Sequence, residues 1–472
     1  MTKDDLVGIM EYKPGWEIIS ELPTPKEIII EGELTEGMIR EISKIKKEPQ
    51  WMLRLRLKAF ELWKKLPMPN WLLGIDELNI EGLAHYIKPA IEKKDEFEKL
   101  PKFLYEFYKS LGLPESEAKV LSGLSGMLDS EAIFVKVKEW LRKNRVIFTD
   151  SDTALKQYPE LFKNYFARVY PMADHKFAAL HYSLWSGGAF VYVPPKIKVP
   201  QPVEAFFIIS SALESQYEHT MVIADEGAFI HFIEGCAAPM FPNYSFHNGA
   251  VEVYVHKKAH VKFTTIQNWS KNIINFNNKR AIVAEEGYVE WLEGGIGAKV
   301  SYVYPSAILR GRKAKASILS VSLSNGPYIK DNGAKVYHIA PETSSRVISK
   351  SISANGGTSI YRGLIYIAKG AENATSQVQC DSLLLDESSR AATIPHNQVL
   401  EENAEIVHEA TAGRVSDDVL FYLKSRGLSE DEAMSLVVLG FMHDLMKELP
   451  FEMANILNTV IQLEFSKMGG VG

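Results

Sequence analysis

At 472 residues, 46% of them hydrophobic and 24% charged, the chain is long enough to bury a substantial core and has the composition of an ordinary globular protein. Its 53 basic and 59 acidic residues leave a net charge of −6, a field that favours neither nucleic acid nor an anionic membrane. Only Cys236 and Cys380 carry thiols, which excludes a disulfide framework and a zinc site made from cysteine pairs; with a charged start at Met1–Leu6 and no apolar run near the roughly 18 residues of a membrane span, the expected compartment is the cytoplasm.

In chain order, residues 1–150 predict a helical N-terminal region. Leu53, Leu57 and Phe60 share one helix face, with Trp51 and Trp63 near its ends. Glu96–Leu111 and Ser130–Asn144 carry further aromatic-rich helical patterns, and Pro67, Pro69, Pro101 and Pro114 punctuate the connections. From about Asp174 to Ala412 helical periodicity gives way to short β-branched and aromatic runs, such as Phe190–Val193, Phe206–Ile209, Phe229–Phe232 and Val251–Val255. A turn pattern of a charged or polar pair followed by Gly or Ala recurs at Glu226-Gly227-Ala228, Lys257-Lys258-Ala259, Glu285-Glu286-Gly287, Asn332-Gly333-Ala334 and Glu402-Asn403-Ala404. A loose period of about 20–30 residues predicts a β-helix over 151–412, since propeller blades need about 40 residues each; a Greek-key sandwich is the rival. Residues 413–472 return to helix: Ser416 caps Asp417–Ser425, which stops at Gly427, and Ser429 with Glu432 forms a capping box that opens a helix over Asp431–Glu448. The whole is a mainly β protein with α-helical ends.

Several segments, in order, resemble one family. Glu48-Pro-Gln-Trp51-Met-Leu-Arg-Leu-Arg-Leu-Lys-Ala59 is followed by Asp174-His-Lys-Phe-Ala-Ala-Leu-His-Tyr-Ser-Leu-Trp-Ser-Gly-Gly188, Glu234-Gly-Cys236 and Thr265-Ile-Gln-Asn-Trp269. Then come Tyr361-Arg-Gly363, Gln379-Cys-Asp-Ser382, His408-Glu-Ala-Thr411 and Ser425-Arg-Gly-Leu-Ser429. From about residue 35 to 465 the chain is similar to the SufB/SufD family of iron–sulphur cluster assembly proteins, and closest to SufB. The resemblance implies a right-handed parallel β-helix between helical regions. It also implies a scaffold, not an enzyme, that builds a transient iron–sulphur cluster. Implied partners are a SufC-type ATPase docked on the C-terminal helices, SufD or a second copy joined through the β-helix, and a sulphur donor such as a cysteine desulphurase. A reduced flavin belongs to the same set of implied cofactors. Readings from other classes are a SufD-like adaptor without a cluster of its own and a carbohydrate-active β-helix enzyme.

Thiolates hold iron–sulphur clusters and accept sulphane sulphur, so Cys380 is the first candidate ligand; the plain alternative is a buried structural cysteine. His408 and Glu409 follow it by 28 and 29 positions, about one coil, which predicts a thiolate, an imidazole and a carboxylate near one iron. Neighbours on a strand face opposite ways, so both line one surface only if the strand bends; by resemblance Glu409 is the better ligand, and the alternative for the pair is a solvated sheet edge. Cys236, 144 positions before Cys380, is expected about six coils or some 29 Å away, too far for a disulfide. The resemblance makes Cys236 the sulphur entry point and Gln267, Trp269 and Lys279 the lining of an inner route; otherwise Gln267 and Trp269 are core and Lys279 is exposed. Val407, Gln398, Ile208 and Ser210 depart from the family pattern, standing where Glu, Glu, Arg and Asn are expected. Gly294-Gly-Ile-Gly-Ala-Lys299 lacks phosphate-loop spacing and is expected to be a turn. No nucleotide-hydrolysis motif occurs, so ATP hydrolysis falls to a partner.

Overall fold

The computed structural model describes residues 24–94, 99–101, 121–448 and 454. Two ten-stranded sheets face each other, and from His219–Ala224 onwards the chain passes from one to the other at each successive strand. The first sheet runs through Val203–Ile208, Phe229–Ala237, His260–Trp269, Tyr288–Gly297, Lys315–Asn325, Ser344–Ala354, Thr375–Leu384 and Glu405–Arg414, neighbours parallel throughout. The second takes the alternate strands, from Ala189–Val193 through Ser245–Val255, Ile273–Val283, Val300–Leu309 and Ile329–His338 to Thr358–Ile367 and Arg390–Val399. This is the expected parallel β-solenoid, of about eight turns.

Register fixes the coil length. Phe229, His260, Tyr288, Lys315, Ser344, Thr375 and Glu405 lie side by side, so successive coils take 31, 28, 27, 29, 31 and 30 residues. That exceeds the expected average because each coil holds two strands of about ten residues rather than several short ones. The residue just before each of those seven starts the coil: Ala228, Ala259, Gly287, Ala314, Thr343, Ala374 and Ala404. Ahead of them sits a residue in the left-handed region, Gly227, Lys258, Glu286, Lys313, Glu342 and Asn373 in turn, with φ between 55° and 65°. Each donates its N–H to a carbonyl in the turn of the next coil, for example Lys258 to Glu285 (2.9 Å) and Glu286 to Arg312 (2.9 Å). The turns thus stack by hydrogen bonding, which offsets the unfavourable dihedral of the non-glycine members. Asn332-Gly333-Ala334, read above as one of these turns, lies inside the strand Ile329–His338; the turns at Lys313-Ala314, Glu342-Thr343 and Asn373-Ala374 fill the gap. Gly294–Gly297 likewise ends a strand, and the turn follows at Ala298.

Inside the coil one row stacks Phe232, Phe263, Trp291, Ile318, Val347 and Val378. Ring centroids in it are 5.0 Å apart for Phe232–Phe263 and 5.1 Å for Phe263–Trp291. Burying each such side chain contributes about 1.5–3 kcal/mol, and the row repeats that gain at every coil.

The N-terminal region is less helical than expected. Strands Gly123–Leu128 and Glu131–Val137 form a hairpin that extends the first sheet, and Ile147–Asp150 extends the second. Ser130–Asn144 is therefore a strand followed by the short helix Glu139–Lys143: Ile133, Phe134 and Val135 fill a sheet position, and local propensity yields to that pairing. Helices Ser151–Gln157, Pro159–Tyr165 and Lys176–Leu184 precede the strand at Ala189. The expected Glu96–Leu111 helix lies outside the described residues except for 99–101. In the helix Gln50–Lys65 the buried stripe is Met52, Arg56, Ala59 and Phe60, with Leu53 and Leu57 half-buried. Arg56, fully buried, pairs with Glu48 at 2.6 Å and donates to the carbonyls of Ser183 (3.2 Å) and Trp185 (2.8 Å).

At the other end the last solenoid strand stops at Arg414 and helices Asp417–Ser425 and Glu430–Glu448 follow. Ser429 and Glu432 form the capping box, Glu432 N–H to Ser429 Oγ 3.3 Å and Ser429 N–H to Glu432 Oε2 2.8 Å. The longer helix lays Met434, Val438 and Met442 on the outer face of the first sheet, against Leu292, Leu319, Val321 and Ile352. Among the described residues no helix is long and apolar enough to cross a membrane.

Candidate functional site

Two polar rows run along the inner face of the first sheet beside the aromatic one. The first is Glu234, Thr265, Glu293, Ser320, Ser349 and Cys380; the second, two residues further along each strand, is Cys236, Gln267, Gly295, Ser322, Ser351 and Ser382. Both cysteines therefore face the same interior. They are separated by five strand spacings, about 24 Å at roughly 4.8 Å each, one coil fewer than expected because the coils are longer. Both are 2% exposed.

Around Cys236 the interior is charged. Lys279 reaches in from the second sheet, its Nζ 2.9 Å from Glu293 and 3.5 Å from Glu234, with Thr265 Oγ as a further acceptor. Lys279 is buried, not exposed. One ammonium faces two carboxyls, so burial and the charge count keep a proton in the group: Glu293 is pushed up to about 7 and Glu234 is raised as well. Burial, then Glu234 and Glu218, push the Cys236 thiol far up, with Lys279 pulling the other way. Gln267 Oε1 accepts from Asn275 Nδ2 (2.6 Å), Asn275 Oδ1 meets His247 Nδ1 (2.7 Å), and His247 Nε2 meets Glu218 Oε1 (2.7 Å). The Trp269 ring lies 4.6 Å from His247. Glu234 Oε2, Gln267 Nε2, Trp269 Nε1, Asn277 Oδ1 and Asn332 Oδ1 are buried and without a hydrogen-bond partner. Such groups cost free energy unless water or a polar guest meets them. A cavity of about 10 Å³ sits among Gln267, Glu293, Gly295, Ser320 and Asn332, between the two thiols. Gly295 widens it, for a Cβ there would meet nothing nearer than the Val321 carbonyl at 3.9 Å.

At the far end Cys380 lies opposite Ala410, and His408, two residues earlier, continues the inner aromatic row below Val378. His408 Nε2 is 3.7 Å from Cys380 Sγ. Burial lowers the His408 pKa and pushes the Cys380 thiol up to about 12, with the Tyr361 hydroxyl beside it acting in the opposite direction. The imidazole is therefore neutral with Nε2 turned towards the thiol, and the thiol keeps its proton until a metal displaces it. Glu409 pairs with Gln379 on the outer face and is exposed, so the strand does not bend and only His408 joins Cys380. Val407 shares that outer face, so a glutamate in its place would lie beside Glu409 rather than with Cys380. Ile208 is core, Ser210 is bonded to the buried Asp129 (2.9 Å), and Gln398 is exposed in the last coil. Among the described residues no three His, Cys, Asp or Glu side chains converge on one metal-sized point.

A family model described as SUF system FeS cluster assembly, SufBD core domain, matches residues 207–441, the coils that carry both thiols. The iron-sulfur cluster assembly SufBD family proteins of Staphylococcus haemolyticus and Staphylococcus aureus are each 45% identical over 439 residues, 93% of this chain and 94% of theirs. The chain belongs to the SufBD family. As a SufBD protein it is an iron–sulphur cluster assembly protein. Sequence reasoning named Cys236, Gln267, Trp269, Lys279, Cys380, His408 and Glu409, of which Glu409 faces away from Cys380. It missed Glu218, His247, Asn275 and Glu293, and it quoted Glu234 and Tyr361 without giving them a task. Glu234 was within reach, since it alternates with Cys236 on one strand.

Proposed function

We propose that this SufBD protein is the SufB-type scaffold on which an iron–sulphur cluster is built, and that it works in the cytoplasm as an assembly factor rather than an enzyme. Cys236 takes sulphane sulphur from a donor persulphide: its thiolate attacks the terminal sulphur, the donor thiolate leaves, and the thiol proton passes to the carboxyl group around Lys279. The ammonium of Lys279 and the free N–H of Gln267 favour the resulting persulphide anion. The hydroxyl-lined interior, with Trp269 as part of the wall, leads from Cys236 towards Cys380; a small diffusible thiolate attacks the terminal sulphur as the Cys236 thiolate leaves, and the Cys380 thiolate displaces that carrier in turn. At the far end the Cys380 thiolate and the neutral His408 imidazole would hold the growing cluster, the thiol proton being displaced by incoming iron and released to solvent. Glu409, on the rim of the open coil, is the carboxylate that meets incoming iron. The observation that carries this reading is the placement of both thiols on one inner face, joined by unpartnered polar atoms, with His408 3.7 Å from Cys380.

Among the described residues only Cys380 and His408 meet at this point, and SufD or a second copy completes the site at the exposed last coil. A SufC-type ATPase docks on the C-terminal helices and supplies the energy, and a cysteine desulphurase is the fitting sulphur donor. A reduced flavin does not fit the outer cleft between Trp71, Tyr304 and Lys335, whose volume of about 40 Å³ is far below that of its ring system, and no step here runs through one. Anaerobic reconstitution with iron and sulphide tests the scaffold. The parent should gain a visible-absorbing cluster and Cys380→Ala should not; equal colour in both removes Cys380 from the mechanism and favours a SufD-like adaptor.

A further inference from the structure

Away from the interior, a cleft opens where the segment from Pro69 to Leu72 crosses the outer face of the second sheet. Its floor comes from adjoining strands: Asn278 and Arg280, then Tyr304, then Lys335. Two small residues lie on the strands beneath it. Ser306 is the register partner of both Arg280 and Lys335. Gly333 has no side chain, and a Cβ there would come within 1.9 Å of the Arg362 carbonyl oxygen and 2.9 Å of the Tyr304 ring. The free volume of about 40 Å³ holds roughly three waters, the size of a small polyatomic ion.

The unmet polar groups here are donors. Asn278 Oδ1 meets His175 Nε2 at 3.3 Å, while its buried Nδ2 has no partner. The Lys335 ammonium rests over the Tyr304 ring, 5.2 Å from the centroid, and forms no ion pair among the described residues. Arg280 is tied to Asp174 at 3.1 Å, and Arg362 and the Tyr304 hydroxyl are both committed to Asp331. Asp174 is thus one carboxylate between two cations. Burial, with Arg280 adding to it, lowers the Lys335 pKa against the pull of Asp174, as expected of a cation short of negative charge. We propose that this cleft binds a small tetrahedral oxyanion of phosphate or sulphate size, held by Lys335 and the Asn278 amide with Arg280 at its edge. Trp71 closes the cleft from the N-terminal segment, 5.8 Å from Tyr302 and 6.0 Å from Tyr304 in edge-on contact. An occupant would therefore fasten that segment to the solenoid. The site does not depend on the cluster-building role.

The test is calorimetric titration of the full chain with inorganic phosphate and with sulphate, in chloride at constant ionic strength. The parent should bind either anion saturably at one site, each displacing the other, with a rise in Tm. Lys335→Ala, and the isosteric Asn278→Asp that puts a carboxylate where the donor was, should each weaken binding by about tenfold or more while the anion-free Tm stays near the parent's. No saturable binding by the parent, or equal affinity in the parent and Lys335→Ala, overturns the proposal.

Discussion

Lys279 shows how one side chain ties stability to chemistry. Its ammonium neutralises one of two buried carboxyls, and the other keeps a proton near neutral pH. Because the folded pKa of Glu293 is raised above the unfolded value of about 4.5, its contribution to stability is complete below that value and is lost as pH climbs through about 7. Glu293→Gln should therefore flatten the fall in Tm between pH 5 and 8, which thermal melts across that range would register; an unchanged slope would locate the proton elsewhere. Lys279→Met leaves two acids without their cation and should destabilise the fold by about 3–5 kcal/mol in denaturant titration. At the opposite end, Glu409→Gln should reduce iron bound on reconstitution while leaving the Cys380 persulphide detectable by mass spectrometry. That split follows from Glu409 facing outwards and Cys380 inwards. The cysteines drew notice because their motifs are distinctive, whereas Lys279 was named by the family resemblance alone. His247, Glu218 and Asn275 were not legible, because their partners lie one coil away, and coils of 27 to 31 residues hide the pairing until the register is known.

The strands and the C-terminal caps were readable from alternation and from the capping box, while the hairpin at 123–137 was not. An apolar run as short as Ile133–Val135 fits either a helix or a strand, and only the neighbouring sheet edge decides. The turn ladder was half seen: its Ala and Gly positions show in the sequence, but Lys313 and Glu342 hold left-handed backbone with no residue type to announce it. Gly297 is another matter, since a Cβ there would sit 1.6 Å from the Trp269 carbonyl oxygen at φ +72°. The C-terminal helices divide in two. Met442 is buried on the first sheet, so Met442→Ala should cost about 2–5 kcal/mol by denaturant titration. Phe421, 75% exposed on the preceding helix, touches little, so Phe421→Glu should change stability by no more than about 0.5 kcal/mol yet abolish co-purification with the ATPase. Point changes of this kind are cleaner than removing residues 414–472, which would uncover the apolar face of the sheet along with the dock.

Across the whole molecule the two ends of the solenoid differ. The early coils are covered by the N-terminal helices, which pack Phe162, Tyr182 and Trp185 against Phe190 and Met221. The final strands, Arg390–Val399 and Glu405–Arg414, are exposed over most of their length, each paired along one edge only, with Ile394, Val399 and Val407 at 40–45% exposure. Bare parallel edges of this length invite another chain. Ile394→Lys should accordingly shift the assembly towards the monomer in native mass spectrometry, with the early coils unaffected in hydrogen exchange; an undisturbed dimer would move the interface elsewhere.

The last coil also carries His408, which meets Cys380 of the coil before it. On the proposed scaffold role, a metal ion shared across that bare edge would trade these two ligands for a client's most readily when the edge opens, so a small movement there would couple assembly to delivery.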